Sequence, residues 1–224
     1  MKTFKVLSLL LSYPEARWLD HLDELEATLQ FEIGAHGGAE PLRSLLDMLR
    51  NEALISVQEN YVDTFDRNPS HSLHLFEHVH GESRERGAAM VNLLEEYRQR
   101  GFDASTDELP DYVPLFLEFL SLLPEPEALA LLGEAIHVLA HIGDKLAKNG
   151  NAYSVIFDTL AALSPAPPRA IEAAAVRAME ETLETFGPSP DGTEPLLTPQ
   201  NEIVRVAVPR PAQRLAQRAD EIFR

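Results

Sequence analysis

The chain has 224 residues, 45% of them apolar, enough for one sizeable domain with a real core plus an appendage. Its formal charge of −17 sits wholly in the first 186 residues, where 31 acids face 14 basic residues; the remaining 38 hold five arginines and five acids. A body this acidic repels phosphate backbones and anionic lipid surfaces, which disfavours nucleic-acid binding and direct membrane docking, and the absence of cysteine excludes disulfides, thiolate metal sites and cysteine nucleophiles.

The periodicity is helical from the first residues. Lys2 and Lys5 precede an apolar run, Val6 to Leu11, that is short, broken by Ser8 and followed by Tyr13-Pro14 without a small-x-small cleavage pattern. It reads as a first core helix rather than a signal peptide, with Phe4, Leu7, Leu10 and Leu11 as its stripe. Trp18, Leu22, Leu25 and Leu29 form the next stripe, ended by the glycines at 34, 37 and 38; Leu42, Leu45, Leu46 and Leu49 start a third behind Pro41. A helix from about Ala53 to Phe65 runs up to the Asn68-Pro69 break. Ala88, Val91, Leu94 and Tyr97 predict a helix that stops at Gly101. Leu129, Leu132, Ile136, Leu139 and Leu146 mark a long one between Pro126 and Gly150, and Val155 to Leu163 and Ile171 to Leu183 close the compact part. Nothing alternates with period two for long enough to argue a sheet, and no segment approaches the ~20 apolar residues of a membrane span.

After Phe186 the composition changes: six of the 16 prolines lie in the last 38 residues and large apolar side chains become sparse. Such a stretch buries too little to offset its ordering entropy. The expected architecture is all-α, a single compact helical-bundle domain over residues 1–186 with a flexible tail over 187–224. Pro211 to Phe223 could form a short arginine-bearing helix when docked on something. The chain reads as cytoplasmic.

One run, Tyr61 to Gly87, packs four histidines, three arginines and several acids around a few large apolar residues. His71, His74 and His78 share a face if the run is helical, and His80 follows. His137 and His141 stand at i, i+4, a spacing that can share a transition metal, although Val138 occupies the place where a zinc-protease motif needs glutamate. Glu77/His80 and Glu134/His137 are both Glu-x-x-His, the element from which helical di-metal sites are built, so a di-metal protein is the alternative reading; ordinary surface or hydrogen-bonded histidines are the plainer one. No catalytic residue is assigned, because Ser83 lacks the second glycine of a nucleophile elbow and no glycine-rich phosphate loop exists. In Leu109 to Leu120, Asp111 reads as an N-cap, with Val113, Phe116, Leu117 and Leu120 as the buried stripe. Asp111 and Glu118 would then align on one face roughly 10 Å apart. Two acids beside an apolar stripe could hold a basic amphipathic helix, or be incidental to a capped core helix.

At these residues the sequence resembles a known family. The run Tyr61 to Gly87, above all Ser72 to Gly87, is similar to the signature of the NarJ family, the delta subunits or assembly chaperones of respiratory nitrate reductases. Asp111 to Leu120 resembles the Asp-x-x-Pro-x-x-x-Glu-Phe-Leu motif of the wider redox-enzyme maturation chaperones, the TorD and DmsD relatives, and Leu7 to Pro14 also fits. Those relatives often carry histidine directly after the motif's aspartate, where this chain has Tyr112. The resemblance covers most of residues 1 to about 185. It implies a TorD-like, non-enzymatic, cytoplasmic chaperone that binds the apo catalytic (alpha) subunit of the nitrate reductase, partly through its basic N-terminal leader-like segment. Such a chaperone binds no cofactor stably; it keeps the client competent for insertion of the molybdenum cofactor (bis-molybdopterin guanine dinucleotide), delays membrane docking, and is absent from the mature enzyme. A direct carrier of the cofactor would bind a polyanion, which the −17 charge disfavours. The implied client-binding residues are Phe76 as an apolar contact, Glu77, Asp111 and Glu118 as acceptors, His78 and His80 shaping the groove, and Tyr112 in the second motif. Arg84 and Arg86 are expected to pair with neighbouring acids and brace the fold.

Overall fold

The computed structural model describes residues 1–34, 39–81, 83–103 and 108–171. The expected helix from Ile171 to Leu183, the domain boundary at 186, the tail with its Pro211 to Phe223 segment, and Gly37-Gly38 lie outside them.

Helix α8 (Val113–Leu122) is apolar on nearly every side, and Val113 to Leu120 are all buried. A helix of this kind has no solvent face to offer and has to be surrounded. Its main neighbour is α1 (Lys2–Leu10), whose Phe4, Val6, Leu7, Leu9 and Leu10 are buried against it. Each such side chain contributes roughly 1.5–3 kcal/mol on burial. Ser8, which interrupts the apolar run in the sequence, donates to the Pro114 carbonyl at 2.6 Å and so ties the two helices by a buried polar bond. α1 also packs on α3 (Leu22–Ile33), reached through the short α2 (Ala16–Leu19). Trp18, Leu22, Leu25 and Leu29 are all buried, as their spacing predicts.

The ten α-helices of the described residues have a shared oddity: none is capped by the side chain of its own N-cap residue. Orphan N–H groups at a helix start must find partners elsewhere. At α1 the partner is Glu32 of α3, whose carboxylate accepts from the amides of Lys2 and Thr3 and from the Thr3 hydroxyl at 2.6–2.9 Å. Burial alone would raise the Glu32 carboxyl, but these bonds outweigh it and hold it below its ordinary value.

Helix α4 (Arg43–Asn51) buries Leu45, Leu46 and Leu49, and α5 (Leu54–Tyr61) follows. The helix predicted from Ala53 to Phe65 instead divides: α5 ends at Tyr61 and widens into a π-helical turn, Val62–Asp66, before Asn68 caps a 3₁₀ turn at Pro69–His71. Then come α6 (Leu75–His80), α7 (Arg84–Gln99), α8, α9 (Glu125–Lys148) and α10 (Ser154–Leu163). α9 and α10 form a hairpin in which Gly143 lies under Phe157. α7 exists as predicted but buries a different face. Val91 is 67% exposed and Ala88 is exposed, while Tyr97 is buried and Leu93 packs on the core. The helix is peripheral, and it is anchored at its C-terminal end by the Tyr97 hydroxyl, which donates to the Pro110 carbonyl at 2.7 Å. Among the described residues no strand forms. A lone antiparallel bridge pairs His74 with Tyr112.

Candidate functional site

That bridge organises the region where the two motifs meet. The Leu75 amide donates to the Asp111 carbonyl at 3.0 Å, and the Val113 amide donates to the Leu73 carbonyl at 2.8 Å. The starts of α6 and α8, far apart in sequence, are thereby placed side by side. Asp111 is not the cap of its own helix: Tyr112 is the N-cap of α8 and makes no side-chain cap bond. The Asp111 carboxylate crosses the bridge instead. Its Oδ2 accepts from the Phe76 amide of α6 at 3.1 Å, and its Oδ1 lies 3.3 Å from His74 Nδ1. A carboxylate at that end also suits the partial positive charge of the helix start. Because Asp111 precedes α8 and turns toward α6, it does not share a helical face with Glu118.

Glu118 is employed on the other side of the helix. It forms an ion pair with Lys5 of α1 at 2.8 Å, and both side chains are largely buried. Asp111 and Glu118 are therefore 0% and 4% exposed, and each is already engaged within the fold. The rim around the bridge is more open. Phe76, Glu77, His80 and Tyr112 are all half-buried. Glu77 accepts from the Ser72 hydroxyl at 2.6 Å and keeps 36% of its side chain exposed. His80 stacks obliquely on Phe76, ring centroids 5.9 Å apart, with Glu85 at 3.7 Å from its Nδ1. The Tyr112 hydroxyl lies 3.2 Å from that of Tyr61, and the latter donates to the Leu11 carbonyl, which leaves Tyr112 as the donor between them. Burial pushes the Tyr112 phenol up to about 12, so this chain of bonds is neutral at any ordinary pH.

The histidines do not share a face, because the run that carries them is not one helix. His71 ends the 3₁₀ turn, His74 is extended at the bridge, and only His78 and His80 lie in α6. His71 Nδ1 donates to the Thr64 carbonyl at 3.1 Å, which fixes the tautomer, and its Nε2 accepts from Asn149 at 2.8 Å. His78 Nε2 donates to the Ser72 carbonyl at 2.8 Å, and its ring meets His141 edge-on at 5.9 Å. His137 accepts from the Arg169 amide at 3.0 Å. α6 ends at Gly81, whose φ of 54° is a conformation that glycine adopts readily, immediately after His80. Among the described residues no three histidine or carboxylate side chains converge as a metal shell, so Glu77, His80, Glu134 and His137 are not assembled into a di-metal site.

The structure thus brings together Phe76, Glu77, His80, Asp111 and Tyr112, sets His78 beneath them, and turns Glu118 away toward α1. Sequence reasoning missed Ser72; Arg86 does lie beside acids as expected, its Nη2 3.9 Å from Asp111 Oδ2 and 4.0 Å from Glu77 Oε2. The partner of Asp111, 35 residues away, has no local signal.

The family described as nitrate reductase delta subunit matches residues 35–158. The chain is similar to the nitrate reductase molybdenum cofactor assembly chaperone NarJ of Escherichia coli (strain K12), 40% identical over 160 residues that cover 71% of this chain and 68% of that protein. It is 37% identical over 164 residues to the probable nitrate reductase molybdenum cofactor assembly chaperone NarW of the same strain, covering 73% and 68%. The probable chaperone NarJ of Bacillus subtilis (strain 168) is 33% identical over 160 residues, covering 71% and 86%.

Proposed function

The chain belongs to the nitrate reductase delta subunit family, and from that premise we propose that it is an assembly chaperone rather than an enzyme. Its client is the apo catalytic subunit of a respiratory nitrate reductase. It holds that subunit, chiefly by the basic N-terminal segment, in a state open to insertion of the molybdenum cofactor, and delays membrane docking until loading is complete. The cofactor is the client's cargo and is not kept by the chaperone. The chaperone works in the cytoplasm; no described helix is long and apolar enough to cross a membrane.

The observation that carries this reading is the preformed rim of Phe76, Glu77, His80 and Tyr112 at the start of α6 and α8, on a body with a large excess of acids. An apolar ring beside a half-exposed carboxylate suits an amphipathic basic segment. Phe76 supplies the apolar contact and Glu77 the first acceptor. His78 and His80 shape the surface from below and beside. Asp111 and Glu118 act mainly as positioning residues, since their carboxylates lie under the surface.

Calorimetric titration of the full chain with a synthetic N-terminal peptide of the reductase catalytic subunit, at two salt concentrations, tests the proposal. Binding that weakens with salt is expected, with a loss of affinity for Phe76→Ala and Glu77→Gln. Absence of binding by a folded sample, to the peptide and to the apo subunit alike, would sink it.

A further inference from the structure

Arg86 is, among the described residues, the lysine or arginine that comes within 4 Å of the buried aspartate of the site, and its contacts are poor. The guanidinium sits in the first turn of α7, 22% exposed, with one nitrogen, Nη2, at 3.9 Å from Asp111 Oδ2 and 4.0 Å from Glu77 Oε2. Its Nε is buried and has no hydrogen-bond partner among the described residues. Charge-assisted hydrogen bonds form at about 2.7–2.9 Å. At ~4 Å only the Coulombic attraction survives, and the directional part is forfeited. The Lys5–Glu118 pair in the same molecule closes to 2.8 Å, so the fold makes a tight ion pair where it needs one.

α7 is pinned at its far end by Tyr97, and its first half is mostly solvent-exposed, with open space around Gly87. With α7 placed there, the Arg86 guanidinium stands about 1 Å short of the two oxygens, the gap between the observed separation and a hydrogen bond. A cation on a separate segment has no such tether. It could approach Glu77 from solvent and bond both carboxylates once Arg86 moves aside.

We infer that Arg86 is an internal stand-in for a basic residue of the client, covering Asp111 in the free chaperone and yielding its place on binding. Asp111 is then a second acceptor, reached only after the exchange, and Arg86 sets specificity: a segment without a cation at the matching place cannot displace it. The inference rests on the client-binding reading above.

The test is leader-peptide affinity of the full chain carrying Arg86→Gln or Arg86→Lys. Removing the competitor should tighten binding about fivefold, the size of one partly exposed ion pair, with Arg86→Lys in between. Equal or weaker binding by a folded Arg86→Gln chain would mean that Arg86 only braces the site, and would overturn the inference while leaving the chaperone reading intact. No binding by the wild-type chain would defeat both. Should Arg86→Gln fail to fold, nitrogen NMR of the wild-type chain decides. The Arg86 Nε–H resonance, identified by its loss in Arg86→Lys, should shift and exchange faster on peptide addition; an unmoved resonance in the saturated complex overturns the exchange.

Discussion

Both oxygens of Asp111 are engaged by groups across the bridge, Oδ1 by the His74 ring and Oδ2 by the Phe76 amide, with Arg86 beyond. Asparagine at this position keeps the shape but loses the charge and one acceptor. Asp111→Asn should therefore cost on the order of 1–2 kcal/mol, because its single carbonyl oxygen can no longer serve both the Phe76 amide and the His74 ring and the charge facing Arg86 is gone. Urea unfolding measures it, and a loss below ~0.5 kcal/mol would mean that the carboxylate does not cap α6. The Lys5–Glu118 pair calls for a double test. Glu118→Gln alone should destabilise by roughly 3 kcal/mol, because Lys5 keeps a largely buried charge. Adding Lys5→Met beside Glu118→Leu should recover most of that loss, since two apolar groups of similar size need no desolvation. The importance of Asp111 is legible in its motif, but its partner is not: no local rule says that a residue in front of one helix serves the amides of another.

Helices as units are well read from apolar spacing: α1, α3 and α4 bury the stripes that the sequence marks, and α9 does so except at Leu129, which is half-buried. α7 shows where the method stops. Its Ala88–Val91–Leu94 stripe is real in spacing but exposed or half-buried, because a peripheral helix is rotated by its anchor, Tyr97, rather than by its weak apolar side chains. Two glycines separate packing from propensity. Gly87 lies within α7 with nothing within 4 Å of a Cβ added there, so Gly87→Ala should stabilise by up to ~1 kcal/mol. A Cβ on Gly143 would stand 2.6 Å from the Phe157 Cβ, so Gly143→Ala should lose roughly 1–3 kcal/mol despite the same gain in propensity. Thermal unfolding distinguishes them by the sign of the shift. The α6–α9 contact carries a pH dependence. Burial lowers the His78 imidazole below its ordinary value, against the opposing Ser72 bond and Glu77 charge. Burial lowers His141 too, with His78 adding to it. Between the lowered values and about pH 6.5 the unfolded chain binds more protons than the folded one. Stability is then fully present above about pH 6.5 and declines as pH falls, and His78→Gln should flatten that decline in denaturant titrations.

On the scale of the whole molecule, −17 charges in 224 residues make self-repulsion a standing cost of compactness. Raising sodium chloride from near zero to 0.15 M, where the screening length is about 8 Å, should raise the urea midpoint even though it weakens surface ion pairs. A midpoint that falls with salt would mean that those pairs outweigh the net charge. The class of fold is legible at this scale, since composition, the lack of period-two runs and the proline-rich end all point one way. What stays hidden is the meeting of the two motifs, which depends on two backbone bonds, Leu75 to Asp111 and Val113 to Leu73. Those bonds bear on transplantation. Neither motif would carry its activity into another protein as a short insert, because each is half of a joint whose other half lies 37 residues along the chain. A graft would have to take α6, α7 and α8 together with the α1 surface that α8 fills, so what can be inherited or moved is the assembled corner of the fold, not the signature that marks it.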